Sequence, residues 1–235
     1  MLFISPPFGN YIHLPNTMSI KGSYTLEPRH GLIQQILKTF RYSFYHKGWV
    51  NKIGLRNKGL IYGIKHYNPQ KDIISIAILD KKEIPKIINI LPEDTNIELN
   101  ISCPNINKSL DHNQLSSFVN LKRRWCIIKL SPCANIELID KYYQQGFRQF
   151  HCSNTIPINE GGLSGSAIIP FTSNLVKIIK TTYNDVEVIA GGGIYNIDTY
   201  NLYKNLGANH YSVSTLFLHP IKLSAFLYSY YYKNL

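Results

Sequence analysis

The chain of 235 residues (27.0 kDa) is long enough for one large hydrophobic core, and many single α/β barrels are about this long. Hydrophobic residues make up 44% of it, yet no segment approaches the roughly 18 uninterrupted apolar residues of a membrane span. Residues 1–7 show no basic segment followed by a long apolar run and a cleavage site, so no secretory signal is expected. These features predict one domain over residues 1–235, with no membrane partner.

The charge is strongly positive, with 25 Lys and Arg residues against 14 Asp and Glu, which gives a formal net charge of +11. Such a balance is compatible with nucleic acid, with anionic metabolites or with a lysine-rich solvated surface. The basic residues are dispersed, and their longest run is residues 122–124. This dispersal favours a solvated surface over a nucleic-acid site.

The chain contains four cysteines, Cys103, Cys126, Cys133 and Cys152, without a CxxC spacing. This pattern fits reduced thiols better than disulfides or a zinc site. We therefore expect a cytoplasmic protein that binds no metal.

Short apolar runs alternate along the chain with longer segments in which apolar residues recur three and four positions apart. The short runs predict eight strands, at residues 2–5, 18–21, 73–79, 97–102, 125–130, 147–152, 186–190 and 210–213. The longer segments predict helices at residues 82–90, 114–121, 136–145, 168–181, 197–206 and 220–231. Strands that alternate with helices form parallel sheets, and eight such units indicate an α/β chain folded as a closed (β/α)8 TIM barrel.

A doubly wound open sheet is the alternative fold for this alternation. Its glycine-rich phosphate loop usually follows the first strand, whereas the corresponding glycines of this chain come late, at residues 191–193. Their position favours the barrel, whose active site lies at the carboxyl ends of the strands.

Polar residues or glycines stand at the ends of six of the predicted strands, the ends that converge on one rim of a barrel. They are Lys21, Asn100 with Cys103 and Asn105, Lys129, Asn154 with Thr155, Gly192 with Gly193, and Ser214 with Thr215. Each has an ordinary structural explanation, because asparagine caps turns, a lone cysteine is often a small buried hydrophobe and glycine supplies a positive φ. Their coincidence at six strand ends favours one functional site.

Lys129 lies in the otherwise apolar strand 125–130, where an unpaired ammonium is costly to bury. It therefore needs an anionic partner. That partner is either a bound ligand or one of the few acids of the chain, through a salt bridge.

Residues 191–193 are consecutive glycines that lead into a predicted helix, so backbone amides and the positive end of the helix could hold a phosphate. Ser214 and Thr215 follow the last strand, and barrels often build their phosphate site from the loops after strands seven and eight. A second glycine-rich loop, residues 160–165, could cover the ligand. Tight turns would also explain such glycines, but together the segments predict a phosphorylated ligand.

In order and over most of the chain, these motifs resemble those of the dihydroorotate dehydrogenases, FMN-dependent barrel enzymes of pyrimidine biosynthesis. The similar segments are residues 21–29, 51–59, 100–105, 154–156, 161–165, 192–194 and 214–215. A cysteine rather than a serine in the catalytic loop resembles the soluble branch of that family.

The resemblance implies that Cys103 is the base that removes the C5 proton of dihydroorotate while a hydride leaves C6 for N5 of FMN. A free thiol has a pKa of about 8.5, and a nearby cation such as Lys21 would favour the thiolate. The substrate would be bound by Asn51, Asn100, Asn105, Asn154 and Thr155. Carboxamides suit this role because each offers a pyrimidine edge both a donor and an acceptor.

The cofactor implied by the resemblance is FMN, with Lys129 near N1 and O2 of its ring. The residues that would hold it are Lys21, Asn100, Lys129, Gly165, Gly192, Gly193, Ser214 and Thr215.

Three features depart from the family pattern. The chain between residues 8–10 and Met18 is too short for the usual first helix, so a barrel trimmed at its N-terminus is expected. Only residues 156–160 stand where relatives have a much longer excursion, which leaves a homodimer open. Ser214 stands where glycine is usual, although its backbone amide can still face a phosphate.

Oxidation of dihydroorotate to orotate in de novo UMP synthesis is therefore the function that the sequence predicts. Two alternatives are a dihydrouridine synthase-like flavoenzyme that modifies tRNA and a non-catalytic relative that binds FMN. The sequence leaves the electron acceptor open among fumarate, a nicotinamide coenzyme reached through a partner subunit, and a quinone.

Overall fold

The computed structural model describes residues 1–101 and 112–232, without the side chains of residues 112 and 113. Its strands are β1 (Leu2–Ile4), β2 (Thr17–Tyr24), β3 (Arg41–Ser43), β4 (Gly48–Asn51), β5 (Asp72–Ile76), β6 (Ile97–Leu99), β7 (Cys126–Lys129), β8 (Gln149–Cys152), β9 (Ile156–Ile158), β10 (Gly161–Ser164), β11 (Glu187–Gly191) and β12 (His210–Val213). Its α-helices are α1 (Leu32–Thr39), α2 (Leu60–Lys65), α3 (Ile84–Ile90), α4 (Ile136–Gln144), α5 (Ile169–Thr182), α6 (Ile197–Asn205) and α7 (Pro220–Tyr232).

Eight of these strands form a closed parallel barrel in the order β1, β12, β11, β8, β7, β6, β5, β2. The barrel closes at β1, where Leu2 is in register with Thr17 of β2 on one side and with Tyr211 of β12 on the other. Just after β1, the amide of Ser5 donates to the carbonyl of Val213, 2.9 Å away. The predicted (β/α)8 TIM barrel is therefore confirmed.

All eight predicted strands coincide with barrel strands, and five of the six predicted helices coincide with α3 to α7. The exception is segment 114–121, where the structure has a 3-10 turn, His112–Phe118, in place of an α-helix. Its serine and asparagine side chains compete for backbone hydrogen bonds and so weaken helix formation. Between β1 and β2, where every residue is described, the chain forms one 3-10 turn, Phe8–Asn10, and no α-helix.

The sequence analysis did not predict α1, α2 or an antiparallel sheet of four strands in the order β3, β4, β10, β9, called the small sheet below. In it, Asn51 of β4 is in register with Gly162 of β10. A Cβ on Gly161 would lie 2.2 Å from the carbonyl oxygen of Asn51, and a Cβ on Gly162 would lie 2.5 Å from Oγ1 of Thr155. Only glycines allow β10 to approach Asn51 and Thr155 this closely.

The barrel interior changes from apolar to polar along the strands. Its amino end holds an apolar plug formed by Phe3, Met18, Ile20, Ile73, Trp125, Ile127 and Ile189. The rings of Phe3 and Trp125 meet edge to face with centroids 5.1 Å apart, although β1 and β7 are not neighbours, so they fill the interior. Towards the carboxyl end lies a polar layer of Ser75, Glu98, Lys129 and His151.

Among the described residues, no helix is long and apolar enough to cross a membrane. Over the same residues, no three His, Cys, Asp or Glu side chains are grouped as a metal ion would require.

Candidate active site

The polar layer is organised around the carboxylate of Glu98, which is fully buried on β6. One of its oxygens accepts a hydrogen bond from Oγ of Ser75 (2.9 Å), and the other lies 2.6 Å from Nδ1 of His151. The ammonium of Lys129 is 3.8 Å from the first oxygen. Glu98 is therefore the acidic partner that the sequence required for Lys129.

The charges of the polar layer follow from these contacts. Burial alone would raise the pKa of Glu98, but the charge of Lys129 and the hydrogen bond from His151 lower it below its usual range. Burial lowers the pKa of His151, and this effect outweighs the attraction of Glu98. The layer thus holds a carboxylate, an ammonium and a neutral imidazole.

The neutral ring of His151 has a defined tautomer, because Nδ1 beside a carboxylate oxygen must carry the proton. Nε2 then carries a lone pair. It lies over Gly191, where an added Cβ would be only 2.9 Å from it, so glycine makes room for the imidazole.

A chain of hydrogen bonds connects this layer to the barrel mouth. Oγ of Ser75 lies 2.8 Å from Oγ of Ser23, which accepts a hydrogen bond from Nδ2 of Asn100 (2.8 Å). Oδ1 of Asn100 in turn accepts one from Nδ2 of Asn154 (2.9 Å). Both carboxamides are therefore held in one orientation by bonds that run back to Glu98.

A cavity of about 200 Å³ lies at the carboxyl ends of the strands. His151 and Ser153 line it, and so do nine of the residues that the sequence predicted for ligand binding: Asn51, Lys129, Asn154, Thr155, Gly165, Gly192, Gly193, Ser214 and Thr215. The structure thus brings most of the predicted site together.

One corner of this cavity has the geometry expected for a phosphate site. Gly192 and Gly193 have φ of 89° and 74°, and an added Cβ on Gly193 would lie 2.5 Å from the side chain of Ile169. Ser214 is fixed because its hydroxyl donates to the carbonyl of Pro6, 2.9 Å away. The first turn of α6, which was predicted to help to hold the phosphate, is capped by the side chain of Asn196, which accepts a hydrogen bond from the amide of Thr199.

A second cavity, of about 340 Å³, adjoins the first and shares Asn51, Asn154 and Thr155 with it. Its wall includes residues 53–58 of the predicted substrate loop, with the cations Arg56 and Lys58. Neither cavity has an acid among the described residues that line it. This wall is therefore the positively charged side of the site.

Lys21 was predicted to contact the cofactor, but the structure does not bring it to the other site residues. Its ammonium binds the carboxylate of Asp72 (2.6 Å) and the carbonyl of His66 (3.3 Å). The pairing of β2 with β5 is irregular between Lys21 and Tyr24, and it is Gly22 and Ser23 that line the second cavity. The predicted cofactor contact of Lys21 is therefore not seen, because β2 directs this lysine towards Asp72.

The predicted base Cys103 and the predicted substrate ligand Asn105 lie outside the described residues. Their roles stay predictions.

Sequence reasoning missed Glu98, His151 and Ser23 as parts of the site. One signal for Glu98 was present, because it is a charged residue in an apolar strand, as Lys129 is in the next strand of the barrel. Two opposite charges in neighbouring strands of a buried sheet predict an ion pair. A histidine or a serine in a strand carries no comparable signal.

The fold and the two adjoining cavities define the chain as a (β/α)8 barrel with a ligand-sized site at the carboxyl ends of its strands. The chain is similar to several curated dihydroorotate dehydrogenase catalytic subunits. It is 31% identical over 183 residues to dihydroorotate dehydrogenase B (NAD(+)), catalytic subunit, of Bacteroides fragilis, with 63% of this chain and 60% of the relative covered.

Two further relatives with the same description are similar to the chain. The one from Phocaeicola vulgatus is 28% identical over 181 residues, covering 63% of this chain and 59% of the relative. The one from Staphylococcus carnosus is 28% identical over 206 residues, covering 72% of this chain and 66% of the relative. The chain spans about 60% of the length of the first two relatives.

Among solved structures, the ligand-free type DHODH from Eimeria tenella matches the chain with a TM-score of 0.69. The match covers 95% of this chain and 81% of that one at 17% sequence identity, and it supports the fold alone. No family model matches the chain.

Proposed function

We propose that the chain is an FMN-dependent dihydroorotate dehydrogenase that oxidises dihydroorotate to orotate in de novo UMP synthesis, as one cytoplasmic barrel domain over residues 1–235. The observation that carries the proposal is the meeting of carboxamides at one barrel mouth. Asn51 and Asn154 line both cavities, and Asn100 is hydrogen-bonded to Asn154. The relatives named above, which are described as dihydroorotate dehydrogenase catalytic subunits, support the same activity.

The carboxamides suit a dihydropyrimidine ring, whose edge alternates donors and acceptors. Because Asn100 and Asn154 hold each other in one orientation, the site presents a fixed pattern to that edge. The carboxylate of the substrate would be attracted by Arg56 and Lys58 on the wall of the second cavity. Substrate selection thus rests on oriented amides and on positive charge.

The residues of the first cavity fit FMN. The turn at Gly192 and Gly193 leaves no room for side chains and lies beside Ser214 and Thr215, so together these residues would hold the phosphate. Gly165 lines the same cavity, and Asn100 and Lys129 would contact the ring. When bound, FMN would accept the hydride from C6 of the substrate.

The chain's own residues would then perform three tasks. Lys129, held in place by Glu98, supplies positive charge at the cavity wall. Asn154 and Thr155 orient the substrate. Cys103 is the predicted base for the C5 proton, a role that remains a prediction.

The proposal is tested by mixing the purified chain with FMN, removing unbound FMN and adding dihydroorotate without oxygen. We expect a yellow protein whose colour bleaches. The variant Asn154→Leu should bleach much more slowly, since it removes a substrate contact, whereas Asn205→Leu, at an exposed position on α6, should behave as the parent chain.

Two outcomes would contradict the proposal in different ways. A yellow protein that does not bleach would be a non-catalytic FMN-binding relative. A chain that retains no FMN would refute the cofactor assignment itself.

A further inference from the structure

Exposed apolar side chains are concentrated on one short segment of the surface. Of the fourteen large hydrophobic residues that are exposed in the described part of the chain, five lie within residues 33–45. Four of these, Ile33, Leu37, Phe44 and Tyr45, have exposed fractions between 74% and 89%. Such a cluster needs an explanation, because apolar residues on a monomer surface are usually scattered.

The same segment lies within a long stretch of one charge. Residues 28–71 contain nine Lys and Arg residues and no Asp or Glu. Lys38, Arg41, Lys47 and Lys52 are exposed there, and none of them forms an ion pair with a described residue. We call these four cations, together with Ile33, Leu37, Phe44 and Tyr45, the cationic apolar face.

The helical part of this face is fixed to the protein. Nε2 of Gln35 donates to the carbonyl of Lys52 (2.7 Å), and the amide of Lys52 donates to Oγ1 of Thr39 (3.1 Å). This side of α1 therefore packs on the end of β4, and Ile36 lines both cavities. Ile33 and Leu37 are one turn apart, so they extend the apolar side of α1 out into solvent.

The helix and the tip of the β3–β4 hairpin are joined by packed rings. Phe40 stacks on Trp49 with centroids 4.9 Å apart, and Trp49 meets Tyr42 edge to face at 5.5 Å. Tyr42 in turn packs against Phe44 at 5.3 Å. A row of packed rings thus joins Phe40, the residue after α1, to Phe44 at the hairpin tip.

We infer that the cationic apolar face docks on an anionic lipid surface. Short amphipathic elements with large apolar side chains flanked by Lys and Arg bind at the boundary between lipid headgroups and acyl chains. Each exposed cation adds attraction to anionic headgroups, and the acyl boundary takes up the apolar side chains. An anionic lipid surface therefore binds both the cations and the apolar side chains of the face.

Other binding partners do not suit both the cations and the apolar side chains of the face. A second copy of the chain would place cations against cations. A nucleic acid would neutralise the cations but would leave Ile33 and Leu37 without a partner. Protein interfaces keep charge away from their apolar centre, whereas here the exposed cations are interspersed with exposed apolar residues within the single segment 33–52.

The inference revises the sequence-based expectation of no membrane partner. That expectation rested on the lack of a long apolar segment, which concerns only membrane spans. A docking face can be built from an eight-residue helix and a hairpin, as it is here.

Sedimentation of the full chain with lipid vesicles tests the inference. We expect binding to vesicles of equal parts phosphatidylcholine and phosphatidylglycerol, weaker binding at high salt and little binding to phosphatidylcholine alone. Leu37→Asp should weaken the binding at least about tenfold, because it places a negative charge in the face. Arg41→Glu should also weaken the binding to anionic vesicles.

The matched control is Ile221→Asp, which introduces the same charge at a similarly exposed position (88%) on α7. It should bind as the parent chain does, and thermal unfolding should show all variants folded. No binding to the anionic vesicles would overturn the inference and leave an acidic protein as the occupant of the face. Equal loss in Leu37→Asp and Ile221→Asp would also overturn it, because the face would then not be specific.

Discussion

The two ends of the barrel interior use the same strands for opposite purposes. At the amino end the apolar plug brings Phe3 and Trp125 together across the barrel. Packing of this kind depends on the shape of the side chains, so other apolar residues of suitable shape could also form it. At the carboxyl end the polar layer buries the carboxylate of Glu98, which is stable only because Lys129, His151 and Ser75 surround it. One end stabilises the fold, and the other holds charge beside a cavity.

The difference shows where the chain accepts a less stable arrangement. An ion pair in a barrel interior is seldom more stabilising than apolar residues of the same volume. Hydrogen bonds nevertheless connect the polar layer, through Ser23 and Asn100, to Asn154 in the cavity. The layer therefore orients the site at some expense of stability, and substitutions at the two ends should have different consequences.

The largest effect is expected at the apolar plug. Phe3→Ala should lower the free energy of unfolding by about 4 kcal/mol, because it removes a fully buried ring and leaves a cavity. Urea unfolding measures this loss. Binding of FMN by the molecules that remain folded should be unchanged.

The control for this substitution is Phe171→Ala, which removes a half-exposed ring from α5 and should cost far less. A similar loss in both variants would show that the plug does not carry the stability assigned to it.

The next effect is expected at the centre of the polar layer. Glu98→Gln should lower the free energy of unfolding by about 3 kcal/mol, because it leaves the ammonium of Lys129 buried without its counter-charge. Unlike Phe3→Ala, it should also weaken FMN binding, since Lys129 would lose its fixed position. Urea unfolding and FMN titration measure the two losses.

The double variant Glu98→Gln with Lys129→Met separates charge from packing. It should be more stable than Glu98→Gln alone, since no unpaired charge remains. If the second substitution restored nothing, the ion pair would not be what stabilises the layer.

The barrel was predictable because each of its strands is a short apolar run, and helical segments separate most successive barrel strands. The small sheet was not, because its strands have three or four residues and it pairs Asn51 with Gly162, which are far apart in the chain. Glycines that permit close approach look like ordinary turn residues in the sequence. The small sheet therefore depends on pairing between distant segments, which local sequence patterns do not reveal.

The site was predictable to the extent that its residues follow strands. Asn154, Gly192 and Gly193 line the cavity as the alternation of strands and helices required. Lys21 was misplaced because an irregularity in β2 changes which side chain faces the cavity. His151 gave no signal, because its importance comes from being 2.6 Å from a carboxylate on another strand.

A smaller effect is expected where the polar layer meets the site. Ser75→Ala should cost about 1 to 2 kcal/mol, because Glu98 loses a hydrogen bond and Ser23 loses a partner. Asn100 would then be less firmly oriented, so orotate should bind more weakly. Urea unfolding and orotate titration test this, with Ser117→Ala on an exposed turn as the control.

The smallest effect concerns pH and distinguishes the neutral histidine of the polar layer from its charged neighbours. Burial lowers the pKa of His151 below 6.5, so the unfolded chain takes up a proton at that residue before the folded chain does. The free energy of unfolding should therefore fall as the pH drops below about 6.5. The lowered pKa of Glu98 has a similar effect only below its usual value of 4.5.

His151→Asn isolates this term, because the asparagine amide can still donate to Glu98 but does not titrate. Between pH 7.5 and 5, its free energy of unfolding in urea should fall less steeply than that of the parent chain. Other histidines with lowered pKa values, such as His210, contribute equally to both proteins and cancel in the difference. Parallel curves would mean that the pKa of His151 does not change on folding. A parent curve that falls less steeply than that of the variant would mean that His151 is charged beside Glu98, and the polar layer would then hold two cations around one carboxylate.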